Sequence, residues 1–202
     1  MRVLTLATSL LTLSLVQAHA QTLSPLPEPG LWRSEATTLV NGQDVIAAMR
    51  EAQKQMLSSL PEEYRLAMEE MMGGTDDLAV EMQCITAEDA TSLIDPASLM
   101  AEMREEMPNC NMQISQDGAS RLRFTGHCEP GADDGFVGDV QGELLMVSSR
   151  EMRSSFTGKG RLNIDTDDIP PGMEGLESGP LDIRQTEVSV WVSSDCGELA
   201  EM

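Results

Sequence analysis

The segment from Cys110 to Cys128 constrains the fold more than any other part of the sequence. It has the pattern of two strands around a central turn, with polar and apolar residues alternating and a cysteine at each outer end. The alternation places both cysteines on the apolar side of the hairpin. A two-residue turn is excluded because it would pair residues that face opposite sides. We therefore predict a three-residue loop over residues 117–119, which pairs Ile114 with Leu122 and leaves Cys128 diagonal to Cys110. A direct disulfide then needs a bulge or a shift of one pair.

Four cysteines, an even number, favour disulfides over free thiols or zinc in an exported chain. We favour Cys110 with Cys128 and Cys84 with Cys196, and we keep Cys84 with Cys110 plus Cys128 with Cys196 as the alternative. The sequence contains no Cys-x-x-Cys motif, and His127 is the only histidine after residue 20. This excludes a local zinc finger and a thioredoxin-type redox pair. Without a nucleophile motif beside it, His127 is predicted to be a structural residue at a strand end.

Residues 1–20 have the pattern of a secretory signal peptide. Arg2 precedes an apolar run that is too short to span a bilayer, and Ala18-His19-Ala20 matches an A-x-A cleavage site. We predict cleavage after Ala20 and a periplasmic or secreted mature protein. No other apolar run is long enough for a membrane, so no transmembrane segment is expected.

The charge of the chain excludes one class of partner. Its 202 residues include 34 Asp and Glu against 13 Lys and Arg, which gives a net charge of −21. Nucleic acids and anionic lipids are bound chiefly through Lys and Arg, so such a chain should repel them. We predict no nucleic-acid partner and interpret the acidity as a means of solubility.

The remaining pattern predicts an α+β fold in one domain over residues 30–202, after a flexible lead-in over residues 21–29. The domain should hold a single curved antiparallel β-sheet of about six or seven strands, stapled by disulfides, with inserted Met-rich helices. A first strand runs from Gly30 to about Val40, and a helical insert follows over residues 43–73, with its second helix starting near Pro61. Short helices are predicted after Thr86 and over residues 96–107.

The last predicted strand runs from Leu181 to Ser194. Its alternation suggests that Val188, Val190 and Val192 point inward, with Trp191 on the opposite face. A large apolar ring on an outer face marks either a helix-covered surface or a contact surface. Trp191 and Trp32 are therefore the candidate interaction residues.

Two sets of residues are candidate metal ligands. Asn163, Asp165, Asp167 and Glu174 have the spacing of a calcium loop, but Asp168 replaces the turn glycine, so an acidic solvated loop is favoured. Methionine thioethers at Met68, Met71 and Met72, or at Met100, Met103 and Met107, can bind Cu(I). With 15 methionines and only 3% aromatic residues, core packing is the favoured role for both methionine clusters. No cofactor is expected.

Several motifs taken in order resemble the exported bacterial family of domains of unknown function numbered 3617. The matching segments are Pro29-Gly30-Leu31-Trp32, Gln83-Cys84-Ile85-Thr86-Ala87-Glu88-Asp89-Ala90, Asn109-Cys110 with Cys128, Phe156-Thr157-Gly158 and Asp195-Cys196. Arg33 and the long helical insert depart from the pattern. The resemblance implies an exported β-rich domain. It implies no function, because the family has no settled activity.

Taken together, these features predict an exported, non-catalytic envelope protein that acts as a binding or interaction module. Its partner would be another envelope protein or an apolar ligand, which Met-rich surfaces accommodate well. The alternative is a periplasmic metal-handling protein for copper or calcium. The chain shows no acid, base and nucleophile arrangement that would support an enzyme.

Overall fold

The computed structural model describes residues 22–62, 64–65, 68, 79–131, 135–163 and 179–201. These residues form an open sheet of eight strands in which all neighbours are antiparallel. The strands are β1 (Gly30–Val40), β2 (Gln43–Asp44), β3 (Val80–Ile85), β4 (Cys110–Gln116), β5 (Arg121–Cys128), β6 (Gly135–Ser148), β7 (Glu151–Asn163) and β8 (Leu181–Ser193). Their order is β2-β1-β8-β7-β6-β5-β4, and β3 also pairs with β1. The predicted antiparallel sheet is confirmed, with eight strands rather than six or seven.

Three α-helices are described, namely α1 (Val45–Ser59), α2 (Ala87–Ile94) and α3 (Pro96–Glu106), and a 3₁₀-helix follows β8 at Gly197–Glu201. Local sequence explains where each α-helix begins. The Asp44 side chain accepts a hydrogen bond from the Ala47 N–H at 2.9 Å at the start of α1. Thr86 and Asp89 form a capping box at α2. Asp95 caps α3, with Pro96 in the first turn. Most of the second helix predicted in the insert lies outside the described residues.

The β4–β5 hairpin keeps the predicted faces but has a different register. Ile114 pairs with Phe124, and Cys110 lies directly opposite Cys128. The predicted register is therefore wrong, since it paired Ile114 with Leu122. The Asp117 N–H donates to the Arg121 carbonyl at 2.9 Å, so the loop covers residues 118–120 instead of 117–119. Contacts outside the hairpin fix this loop, since its carbonyls accept hydrogen bonds from the backbone of residues 24 and 146.

Both favoured disulfides are present, Cys84–Cys196 and Cys110–Cys128, and no cysteine is free. The first bond fastens the start of the C-terminal 3₁₀ segment to β3. The second closes the open end of the hairpin. Two such bonds suggest that the protein folds in an oxidising, exported environment.

The two faces of the sheet differ in what covers them. We call the face that carries Trp32 and Met152 the inner face, and its apolar side chains form two core clusters. The first cluster joins the sheet to α2 and to the segment before β1 through Leu23, Trp32, Ile85, Ala90, Ile94, Leu122, Met146 and Met152. The second contains Met112, Cys128 and Val140, and methionines of α3 and its C-terminal end pack against it.

The predicted orientation of the last strand is wrong. Val188 and Val192 are 40% and 48% exposed, whereas Ser189 is 7% exposed and Trp191 packs against the first core cluster. Pairing of Ser189 with Ser34 and of Trp191 with Trp32 sets the faces. A strand with large apolar residues on both sides gives no clear alternation, so neighbours decide its orientation.

The predicted flexible lead-in is instead packed onto the domain. Leu23 is buried in the first core cluster, and its N–H donates to the Ile94 carbonyl at 2.8 Å. The Glu28 N–H donates to the Ser149 carbonyl at 2.8 Å. These bonds fasten the segment both to α2 and to the turn between β6 and β7.

The described part of the chain contains no helix of the length and apolarity that a membrane crossing needs.

Met100 and Met103 on α3 provide a test of the packing role predicted for methionine. Both are partly buried against the second core cluster. Leucine keeps the volume and apolarity, so Met103→Leu should change the free energy of unfolding by less than about 1.5 kcal/mol. Met103→Ala should cost about 2 kcal/mol or more. Urea denaturation measures both values. A Cu(I) affinity that is lost in stable leucine variants would instead support metal binding.

Candidate ligand cleft on the inner face of the sheet

A cleft of about 310 Å³ lies between the inner face of the sheet and helices α2 and α3. Its size is at the lower end of the range found for small-molecule sites. One part of its wall is apolar, contributed by the sheet and by α2, and consists of Trp32, Ile85, Leu93, Leu144 and Met152. Such a surface suits the hydrocarbon part of a ligand.

Another part of the wall is polar and lies across β1, β8 and β7. Ser34 pairs with Ser189 across the first two strands, and Glu187 pairs with Ser154 across the next two. The Ser189 hydroxyl donates to Glu187 Oε1 at 3.0 Å. Since that hydroxyl has one proton, the 2.8 Å contact between the Ser34 and Ser189 oxygens must use the Ser34 proton. A hydrogen-bonded row thus runs from Ser34 through Ser189 to the Glu187 carboxylate.

The cleft has a negative character. Asp89, Glu102 and Glu187 line it, and none of the described lining residues is Lys, Arg or His. Hydrogen bonds from the Thr86 backbone N–H and hydroxyl lower the pKa of Asp89, so this carboxyl is ionised near neutral pH. The same bonds hold Asp89 in the capping box of α2. A ligand group that donates hydrogen bonds or carries positive charge therefore matches this wall.

The two tryptophans predicted as interaction residues both belong to the inner side. Trp32 is 1% exposed, and its indole N–H donates to the Glu28 carbonyl at 2.9 Å. Trp32 can therefore contact a ligand only through the edge that lines the cleft, and its role as an interaction residue stays a prediction. Trp32 is buried because it lies opposite Trp191 and packs within the first core cluster.

Trp191 is covered by the lead-in and by Arg150. Its indole N–H donates to the Pro29 carbonyl at 3.2 Å, and the Arg150 guanidinium lies 4.4 Å from the ring centre. Arg150 also forms a 2.9 Å ion pair with Glu28, and their hydrogen bond lowers the pKa of Glu28 and raises that of Arg150. Trp191 therefore holds the segment before β1 in place.

The predicted metal ligands are not brought together among the described residues. Asn163 is the last residue of β7, whereas Asp165, Asp167 and Glu174 lie outside the described residues. Met68 is helical and half-buried, while Met71 and Met72 also lie outside them. In the described part of the chain, no three His, Cys, Asp or Glu side chains are placed to hold a metal ion.

His127 lies on the outer face of the sheet, which is the face opposite the cleft. Its Nδ1 is 2.7 Å from Asp139 Oδ1, and both side chains are exposed. The sheet therefore separates this imidazole from the serine row.

Of the cleft residues, only Trp32 was among the candidates predicted from the sequence. One signal was present, since serine occupies inner positions 34, 154 and 189 where a packed strand normally carries an apolar side chain. Those positions become neighbours only through the β1–β8 and β8–β7 pairings, which join distant parts of the sequence. The alternation of polar and apolar residues within one strand cannot reveal a row of side chains that is formed across three strands.

Comparison with known proteins gives a family but no activity. The model of the family described as "Protein of unknown function (DUF3617)" matches residues 27–196 of the 202. No curated protein and no solved structure matched the chain. The matched segment extends from the lead-in through both disulfides, and so includes every strand and α-helix described above. The chain belongs to this family of proteins of unknown function.

Proposed function

We propose that the protein is an exported, non-catalytic binding protein whose inner cleft takes a small amphiphilic ligand with a cationic or donor-rich head group. The observation that carries this proposal is the division of the cleft wall into an apolar part and a hydroxyl–carboxylate row. The pattern predicted for residues 1–20 and the two disulfides support export to the periplasm or beyond.

The arrangement of the two parts indicates how a ligand would lie. Ser34 and Ser189 are on β1 and β8, whereas Leu144 is two strands further along, on β6. Adjacent antiparallel strands are about 4.8 Å apart, so Leu144 is roughly 10 Å from β8, whereas Met152 pairs directly with Ser189. Apolar contacts therefore begin beside the polar row and extend to β6, which suits a molecule whose polar group ends a short apolar chain.

A non-catalytic role is supported by the position of the groups that usually do acid–base work. His127 is on the opposite face of the sheet from the serine row. Within the row, Ser189 is buried and has its proton directed to Glu187. The hydroxyls therefore provide a fixed hydrogen-bonding surface, and no nucleophile motif accompanies them.

Titration with n-hexylammonium, and with hexanoate as an equally long anion, tests the proposal. We expect n-hexylammonium to bind and to change the fluorescence of the protein, because Trp32 lines the cleft. Hexanoate should not bind, because three carboxylates line the cleft. Glu187→Gln keeps the shape and an acceptor but removes the charge, so it should weaken ammonium binding by about tenfold.

Glu35→Gln is the matched control, since it removes one charge from the exposed outer face of β1. It should leave ammonium binding within about twofold of the wild type. Equal losses in the two variants would show general attraction to an acidic protein. Equal affinity for hexanoate and hexylammonium would show unspecific apolar binding. Either result contradicts the proposal.

A further inference from the structure

Two ion pairs flank β8 on the outer face of the sheet, and they run in opposite directions. On β1, Arg33 lies 3.2 Å from Glu35, and on β7, Arg153 lies 2.6 Å from Glu151. The strand pairings place Glu35 level with Arg153, and Arg33 level with Glu151. Between 30% and 61% of each of these four side chains is exposed. Both pairs are therefore open to contact with another molecule.

Valines of β8 lie between the two ion pairs. Val188 pairs with Glu35 on one side and with Arg153 on the other, and it is 40% exposed. Val190 lies between the other two charged residues in the same way. The four charges and two valines thus form two levels across three strands, one through Val188 and one through Val190.

Apolar side chains continue both levels on the neighbouring strands. Val80 and Met82 of β3 pair with the two charged residues of β1. Leu145 of β6 pairs with Arg153, and Val147 follows it in the bulge opposite β7. Met82 and Val147 are 40% and 44% exposed. We call this surface, which extends from β3 across β1, β8 and β7 to β6, the outer patch.

The outer patch is complementary to itself. From β3 to β6, the level of Val188 is apolar, negative, apolar, positive and apolar. The level of Val190 has the two charges in the opposite order. A half-turn about an axis along β8 reverses both levels, so positive positions then face negative ones and apolar positions face apolar ones. A dimer with two-fold symmetry requires a surface of this kind.

We propose that two copies of the protein associate face to face through their outer patches, around a two-fold axis along β8. Glu35 of each copy pairs with Arg153 of the other, and Arg33 pairs with Glu151 of the other. The valines of β8 meet on the axis. Sheets that pack face to face are about 10 Å apart, a distance that arginine and glutamate side chains span together.

The charge of the outer patch favours this face for contact between copies. A protein with a net charge of −21 repels its own copies over most of its surface. The outer patch contains two arginines and two glutamates, so it is neutral. At physiological ionic strength, charges more than about 8 Å away are largely screened. The ligand cleft lies on the inner face and stays open in such a dimer.

The size of the outer patch indicates a weak dimer. Five strands at about 4.8 Å give a width of roughly 24 Å, and residues 186–192 of β8 give a similar length at about 3.4 Å per residue. Each copy would then bury roughly 600 Å², which is less than the ~800 Å² per partner of a standard interface. We therefore expect dissociation in the micromolar range.

Sedimentation velocity of the exported protein, from low micromolar to submillimolar concentration, should show an equilibrium between monomer and dimer. Glu35→Arg should weaken dimerisation by about tenfold or more, because a cation then faces Arg153 twice in each dimer. This loss is expected although the substitution makes the protein less acidic. Arg153→Glu should cause a loss of similar size, because carboxylates then face each other.

Restoration of the charge pairs tests the two-fold arrangement itself. A chain that carries both Glu35→Arg and Arg153→Glu again sets opposite charges against each other in a dimer. Its affinity should return to within about threefold of the wild type. An equimolar mixture of the two single variants should also dimerise, because both charge pairs are attractive only between unlike chains.

Glu105→Arg is the matched control, because it makes the same change of charge at an exposed position of α3, on the inner side of the sheet. It should not weaken dimerisation. The urea midpoints of all variants should stay close to that of the wild type, since exposed ion pairs contribute little to stability. A wild type that stays monomeric would overturn the proposal. A dimer that neither single variant weakens, or a combined variant that does not regain affinity, would overturn it as well.

Discussion

Replacing Cys84 and Cys196 together by serine should lower the free energy of unfolding by about 5 kcal/mol. The two cysteines are 112 residues apart, so their bond closes more than half of the chain into one ring. Such a ring restricts the unfolded chain far more than it restricts the folded protein. The loss should appear as a lower urea midpoint for the variant than for the oxidised wild type.

The second disulfide provides the matched comparison. Cys110 and Cys128 are 18 residues apart, and their replacement by serine should cost about 3 kcal/mol by the same reasoning. Both double variants remove one covalent bond and introduce two serines, so their difference reports mainly on ring size. A larger loss for the short ring would contradict this explanation and would indicate that packing around the hairpin dominates.

Trp32→Ala should destabilise the protein by about 3–5 kcal/mol, since it removes the largest side chain of the core and leaves a cavity. Trp32 is 1% exposed and belongs to the first core cluster. The substitution also leaves the Glu28 carbonyl without its indole donor. Urea denaturation followed by circular dichroism measures the loss.

Trp191→Ala is the control for the loss of an indole. Trp191 is only partly buried, so its replacement should cost less than that of Trp32. Trp32→Phe should also cost less than Trp32→Ala, because it refills most of the cavity. A Trp32→Ala variant as stable as the wild type would show that the cluster does not hold the domain together.

Features set by neighbouring residues could be predicted from the sequence. The first strand begins and ends where predicted, at Gly30 and Val40. The short helix after Thr86 starts with the predicted cap, because hydroxyl and carboxylate groups three residues apart satisfy the first free N–H groups. Both favoured disulfides formed as well. Both hairpin cysteines lie on its apolar side as predicted, and of the two connectivities that the sequence left open the favoured one is present.

Features set by distant residues could not be predicted in this way. Val188, Val190 and Val192 alternate as a buried face would, yet the pairing of β8 with β1 turns them outward. The hairpin loop lies one residue later in the sequence than predicted, because backbone N–H groups far from it in sequence donate hydrogen bonds to its carbonyls.

The position of β8 has a consequence for the order in which the chain can fold. It is the last strand of the sequence, yet it lies between β1 and β7 inside the sheet. Strands β4 to β7 pair successively with their neighbours, so they can assemble as the polypeptide emerges. The β1–β3 pair must wait for β8, because only β8 joins it to the other strands. Until then, β1 and β7 each have an open edge that another chain can pair with. A polypeptide that stops near residue 180 would therefore be left with two separate sheet fragments, and both would be prone to aggregation.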